Sequence, residues 1–351
     1  MARTAPRQPV SAAERGGAVL AFLDTALDTL GSAVGPAVDD EVFAFRCGPT
    51  IVRIRATSAR TGELRPFSHL PTVTPRTATH GDPELVVHVC DGPFPGADGR
   101  RPPSGFHRVR DARTFVAITD GPAIVDGLRS SEGRAISWIE DVAHAPPYTR
   151  FRPFAEIFSA WFPAVRMLLL HAAAVGDADG VVLLVGNGGS GKSTTSVLCS
   201  QAGLGFLADD FCLLEPGARP RVHSIYRSAK LRGDSAGRVP DVHAARGDRV
   251  DDDHYFLVDD DATIASAPVR AIIAVRPAPD ATAAPRLEQV TRDESFRLLL
   301  PTALKVASGG DAAYRFWLRS AHAIAESIPA YTLDLTWDTA RVVDLVREAL
   351  R

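Results

Sequence analysis

The stretch VVLLVGNGGSGKST, residues 181–194, carries the strongest structural signal in this sequence. Its five leading apolar residues predict a buried strand, and the residues after Gly191 predict a helix. The segment between them matches GxxxxGK[ST], whose glycines let successive backbone N–H groups converge on one anion. A helix that begins there adds the positive end of its dipole. The stretch therefore predicts a phosphate-binding loop.

The chemistry expected of this loop divides among its residues. Lys192 is expected to reach the β- and γ-phosphates of a nucleotide, and the Ser193 hydroxyl to ligate Mg²⁺. The predicted cofactors are accordingly ATP and Mg²⁺. The predicted nucleotide-binding residues are Gly186, Asn187, Gly188, Gly189, Ser190, Gly191, Lys192, Ser193 and Thr194. The alternative is an ordinary glycine-rich turn, which the agreement of strand, loop and helix disfavours.

Two adjacent acids, Asp209 and Asp210, follow the short apolar run of residues 206–208. In phosphate-loop proteins a carboxylate at the end of a neighbouring strand completes the Mg²⁺ shell, usually through water. Adjacent side chains on an extended backbone point to opposite faces, so we expect different roles for the two acids. One would face the metal and the other would act as general base on an acceptor hydroxyl. A turn rich in aspartate is the alternative.

A histidine, His171, interrupts the apolar run of residues 168–175, which is predicted to be one strand. Folding this run against residues 181–185 about Ala178 places His171 opposite Val185, beside the start of the loop. We therefore expect His171 to contact the phosphates or the transferred group. The alternative is a core histidine whose ring nitrogens are satisfied by neighbours.

Further cations are expected around the phosphates, because charge on the equatorial oxygens of a loose transition state needs several positive groups. Lys230 and Arg276 are the leading candidates for this phosphate clamp. For each of them an ordinary surface position is the alternative.

Taken in order, His171, the phosphate loop and the pair Asp209-Asp210 resemble the catalytic domain of the HPr kinase/phosphorylase family. The resemblance covers residues 168–214 well and the remainder of the chain only in outline. It implies a fold related to phosphoenolpyruvate carboxykinase, with Asp209 as catalytic base and His171 in the active site. It also implies that Ser193 and Asp210 lie on the metal side. Phosphorylase activity is not assigned, because the family's later glycine-containing signature is only weakly matched.

The region before the phosphate loop has a different pattern. Short runs with β character recur between about residues 41 and 140, separated by segments rich in Pro, Gly and Asp. An amphipathic helix is predicted from about residue 12 to residue 34. We therefore predict an α/β protein with a disordered tail (1–12), a β-rich N-terminal domain (13–150) and an HPr-kinase-like phosphate-loop domain (151–351).

The composition argues against several classes of protein. The 39 basic and 42 acidic residues nearly balance, which leaves no electrostatic footprint for nucleic acid. We find no apolar run long enough to span a membrane and no apolar segment of a signal peptide. The four cysteines are far apart and form no CxxC pair, which argues against a zinc site. A cytoplasmic protein without nucleic-acid or membrane partners is expected, and homo-oligomerisation is left open.

These features together predict an ATP-dependent kinase that transfers the γ-phosphoryl group to a serine-like hydroxyl. The acceptor would be a peptide, a protein or a small molecule, and the family resemblance includes kinases that tailor peptides. One alternative is a regulatory ATPase or switch that has no phosphorylated acceptor. Others are a module that binds nucleotide without catalysis and, by analogy of fold alone, a carboxykinase.

Overall fold

The computed structural model describes residues 41–56, 70, 73, 81–92, 109–110, 114–119, 124–236, 239, 247–250, 252–304 and 310–351. The tail and the helix expected before residue 35 lie outside these residues. Within them the chain has a mixed α/β structure with several sheets.

Strands outnumber helices in the part of the chain that the structure describes. The strands are β1 (Glu41–Cys47), β2 (Thr50–Ala56), β3 (Glu84–Asp91), β4 (Val109–Arg110), β5 (Thr114–Thr119), β6 (Ile124–Arg129), β7 (Arg134–Ile139), β8 (Leu168–Leu170), β9 (Ala173–Asp177), β10 (Gly180–Val185), β11 (Gly205–Ala208), β12 (Cys212–Glu215), β13 (Arg221–His223), β14 (Ser228–Arg232), β15 (Gly247–Val250), β16 (Asp253–Leu257), β17 (Ser266–Pro277), β18 (Arg286–Gln289) and β19 (Ala330–Leu335). The α-helices are α1 (Pro147–Phe151), α2 (Ala155–Trp161), α3 (Lys192–Gln201), α4 (Gly233–Ala236), α5 (Arg292–Leu299), α6 (Gly310–Ser327) and α7 (Thr339–Leu350).

The chain divides into two compact units. The first comprises Met1–Val42, Ile54–Thr61 and Val86–Ala145. Its strands pair in the order β3-β7-β6-β5-β4, with β3 parallel to β7 and the other pairs antiparallel. Strands β3 and β5 lie within the region for which the sequence predicts short runs with β character, residues 41–140.

The second unit comprises Phe43–Arg53, Gly62–Leu85 and Pro146–Arg351. Its largest sheet has the order β11-β9-β10-β17-β13-β12-β8, and β19 joins it beside β17. Strand β10 is parallel to β17, and β17 is parallel to β19. The two units interleave along the sequence, and the predicted domain division at residue 150 stays a prediction.

Helices cover both faces of this sheet, which explains the uninterrupted apolar character of β10. Alternate β10 residues pack with α5 and α6 on one face, where Trp317 is fully buried. The intervening β10 residues pack with α3 and α7 on the other face. A strand buried on both faces reads as a continuous apolar run, as the sequence does here. The strand and helix predicted on either side of residues 186–191 are confirmed.

The single strand predicted over residues 168–175 is wrong. The run forms two strands, because β8 pairs with β12 whereas β9 pairs with β10 and β11. His171 lies between β8 and β9, where its backbone N–H donates to the Thr302 carbonyl at 2.9 Å. The β9–β10 register pairs Leu184 with Ala173, so the expected pairing of His171 with Val185 is also wrong.

Candidate active site

The glycine-rich loop (residues 186–191) connects the end of β10 to the start of α3. Gly186, Gly189 and Gly191 have φ values of +145°, +79° and +102°, which favour glycine. A Cβ on Gly191 would lie 2.3 Å from Leu335 Cδ1. A Cβ on Gly186 would lie 2.6 Å from Ser190 Oγ. Conformation and space therefore both require glycine at these two positions.

The loop lysine is buried and directed back into the loop. Lys192 is 6% exposed, and its Nζ donates to the carbonyls of Gly186 at 2.8 Å and Asn187 at 3.1 Å. Burial lowers the pKa of Lys192, and the nearby charges of Asp210 and Asp209 act in the opposite direction. The structure therefore brings the loop cation and both predicted acids within electrostatic reach of one another.

The acid pair, Asp209 and Asp210, follows β11, but its side chains do not diverge. Arg152 Nη1 forms an ion pair with Asp210 Oδ2, and Arg152 Nη2 lies 3.9 Å from Asp209 Oδ2. The expectation that the acids point to opposite faces is therefore wrong. The reason is local, since Asp210 has a left-handed φ of 74° and leaves the extended conformation.

The Asp209 carboxylate lies deep in the protein, with the residue only 1% exposed. Its Oδ2 accepts a hydrogen bond from the Lys230 backbone N–H at 3.0 Å. Burial raises the pKa of Asp209, although Arg152, the Lys230 N–H and the Ser193 hydroxyl each lower it in part. A carboxylate with a raised pKa is suited to accepting a proton near neutral pH.

The Asp210 carboxylate has the opposite character. Burial alone would raise the pKa of Asp210, but Arg152 and then His171 outweigh burial and lower it. His171 Nδ1 lies 3.0 Å from Asp210 Oδ1. The His171 ring also contacts Phe211 edge-on, with centroids 5.8 Å apart. The structure thus places His171 beside Asp210 and keeps this acid ionised.

Arg152 is the functional candidate that the sequence did not indicate. It follows α1 in a proline-rich segment, 58 positions before the acid it pairs with. It is 8% exposed, and its guanidinium carbon lies 5.8 Å from the centre of the Tyr255 ring. No motif links so distant positions, so only the folded structure could identify it.

The two proposed clamp residues have different surroundings. Lys230 lies beside the acid pair, because its backbone N–H donates to Asp209 and its charge helps lower the pKa of Asp210. Its Nζ lies 3.1 Å from Asp253 Oδ2 and 5.8 Å from the Tyr255 ring centre. Arg276 instead has an exposed side chain near the end of β17 and pairs with Asp334, which raises its pKa. The structure brings Lys230 to the acids and assigns Arg276 another carboxylate partner.

The donor set near the acid pair fits Mg²⁺ that arrives with a nucleotide. Among the described residues no cluster of three or more His, Cys, Asp or Glu side chains could hold a metal ion. Ser193 and Asp210 nevertheless offer the oxygen ligands that Mg²⁺ prefers, and water and phosphate usually supply the others. Within the described chain, Asp209 Oδ1 is buried without a hydrogen-bond partner, which leaves this oxygen able to accept a hydrogen bond from a ligand.

Comparisons with known proteins add little to this geometry. No family model matches the chain, and no curated protein matches it. The solved structure of the Hpr(Ser) kinase/phosphatase from Coxiella burnetii is 14% identical, with a TM-score of 0.28. The match covers 51% of this chain and 94% of that one.

In the part of the chain that the structure describes, no helix is both long and apolar enough to cross a membrane.

Proposed function

We propose that this protein is an ATP-dependent kinase of the HPr-kinase-like type that phosphorylates a serine-like hydroxyl. One observation carries the proposal: Asp209 and Asp210 lie close enough to the loop lysine, Lys192, for their charges to raise its pKa against the effect of burial. The Ser193 hydroxyl also acts on Asp209, so the loop and the acids share one site. Phosphoryl transfer needs a phosphate cradle, a cation and a base together, and these residues supply them.

The residue roles follow from their surroundings. The glycine-rich loop and Lys192 would hold the triphosphate of Mg·ATP, which supplies the phosphoryl group. Asp209, whose pKa is raised by burial, would accept the proton of the acceptor hydroxyl. Asp210, whose pKa is lowered by Arg152 and His171, would stay ionised on the metal side with Ser193. Lys230 would add positive charge beside the acids.

The acceptor is proposed only by class. A peptide, protein or small molecule with a free hydroxyl group would supply the proton that Asp209 accepts. A peptide-tailoring role is consistent with the family resemblance of the loop and acid pair. We place the reaction in the cytoplasm and leave homo-oligomerisation open.

The test is transfer of labelled γ-phosphate from Mg·ATP to serine-containing peptides, followed by mass spectrometry. Asp209→Asn should bind Mg·ATP normally but transfer phosphate about 100- to 10,000-fold more slowly, as expected for loss of a general base. Asp344→Asn, at the exposed face of α7, is the control and should match the parent. ATP hydrolysis without any labelled acceptor, equally fast in Asp209→Asn, would instead indicate a regulatory ATPase.

A further inference from the structure

Arg152 uses only part of its guanidinium group in the described structure. Its Nη1 pairs with Asp210, whereas Nε and Nη2 are buried and have no hydrogen-bond partner among the described residues. Nη2 lies 3.9 Å from Asp209 Oδ2, which is beyond hydrogen-bond distance. A buried charged donor without a partner is costly, so the two free N–H groups point to a missing anion.

We propose that the Nε–Nη2 edge of Arg152 is an oxyanion subsite that binds the phosphoryl group during transfer. The inference rests on the proposed kinase function and adds a catalytic residue and a ligand chemistry to it. The Nε–H and one Nη2–H of a guanidinium point the same way, and together they match two oxygens of one phosphate. A lysine ammonium could not reproduce this bidentate contact.

The surroundings hold this edge in place. The Arg152 guanidinium lies over the Tyr255 ring, and Tyr255 stacks on Phe151 with centroids 5.7 Å apart and planes 27° apart. The Nη1 ion pair with Asp210 fixes the opposite side of the group. A fixed cation favours a transition state because it does not have to reorganise when charge develops.

The position of Arg152 also bears on the charge repulsion between the acid pair and a phosphoryl group. Two adjacent carboxylates would repel a phosphoryl group that passes between ATP and an acceptor. Arg152 contacts both acids and can offset their charge while its free edge takes two of the non-bridging oxygens. As the bond from phosphorus to the acceptor oxygen forms, the bond to the β–γ bridging oxygen breaks. Its electron pair leaves with ADP, and the hydroxyl proton passes to Asp209.

The test separates nucleotide binding from phosphoryl binding by calorimetry on the full chain. The protein is first titrated with Mg·ADP and then, in its presence, with tetrafluoroaluminate, a planar mimic of the phosphoryl group in transfer. Arg152→Lys keeps the positive charge but loses the paired Nε–H and Nη2–H donors. It should bind Mg·ADP within about threefold of the parent and the mimic about 10- to 100-fold more weakly, the range for hydrogen bonds to a charged group.

Arg221→Lys is the matched control, because this partly buried arginine donates from Nη2 to Ser266 Oγ at 2.8 Å. It should bind both ligands like the parent. Arg152→Gln gives a second test if the lysine variant does not bind Mg·ADP. Mg·ADP binding with no loss of mimic affinity in either Arg152 variant would overturn this inference alone. A parent protein that binds no Mg·ADP would overturn the proposed function, and the inference with it.

Discussion

Lys192 illustrates, at the scale of one residue, a conflict between stability and the proposed binding of nucleotide. Burial lowers its pKa, so the folded protein binds this proton less tightly than the unfolded chain does. The protonated, charged form of Lys192 therefore lowers the stability of the folded protein. Removing the charge should raise the free energy of unfolding. A buried charged group whose pKa is shifted by burial and by nearby charges is typical of a functional site.

We therefore predict that Lys192→Met raises the melting temperature and abolishes Mg·ATP binding. An increase of a few degrees is expected, since about 1 kcal/mol corresponds to roughly 2–4 °C in a domain of about 150–250 residues. Thermal melts monitored by circular dichroism, with and without Mg·ATP, measure both effects. A variant that melts below the parent would mean that the hydrogen bonds to Gly186 and Asn187 outweigh the cost of burial.

Single residues of the site differ in how far the sequence could predict them. The loop residues were predictable because one contiguous motif places strand, turn, lysine and helix together. The acid pair was predicted from its place after the apolar run of residues 206–208, but the orientation of its side chains was not predicted. Asp210 has a left-handed φ and contacts Arg152 and His171, and neither the φ nor these long-range contacts can be read from the local sequence.

At the scale of elements, the glycine-rich loop depends on a close approach between two parts of the sheet. Gly191 begins α3 with a left-handed φ and lies against Leu335 at the end of β19. By contrast, a Cβ on Gly188 would meet nothing within 4 Å. The two glycines belong to one loop but carry different constraints.

We predict that Gly191→Ala destabilises the protein by about 1–3 kcal/mol, the range for a strained backbone position, and weakens Mg·ATP binding. Gly188→Ala is the control and should unfold at the same denaturant concentration as the parent. Equilibrium urea unfolding measures the difference between the two. Equal stability of both variants would show that β19 moves away from the loop at little cost.

Secondary-structure elements were predicted correctly where one local sequence pattern was clear. They were not predicted where long-range contacts determine where an element ends. Helix α3 begins at Lys192, directly after the glycine-rich loop, as the sequence predicted. Helix α5 was missed, although Thr291 and Glu294 form a capping box that could have indicated its start. The break at His171 had no local signal, because apolar residues continue on both sides of it.

At the scale of the whole molecule, the unit that carries the site is discontinuous in sequence. Residues 43–53 group with Pro146–Arg351, although a β-rich domain was predicted to extend to residue 150. Cys47 Sγ donates to the Ser224 carbonyl at 3.4 Å, and a Cβ on Gly48 would lie 2.6 Å from Met167 Cε. Long-range packing of this kind leaves no periodic signal, so the sequence could not reveal it.

We therefore predict that a fragment of residues 146–351 is much less stable than one of residues 41–351. Loss of β1 and β2 uncovers Met167, which is 1% exposed, and leaves the Ser224 carbonyl without its thiol donor. Both effects remove buried contacts from the unit that holds the acid pair. Differential scanning calorimetry should give a cooperative transition for the longer fragment and a lower or absent one for the shorter fragment. Cooperative melting of both fragments at the same temperature would contradict this prediction. It would mean that residues 41–145 do not stabilise the unit that holds the acid pair.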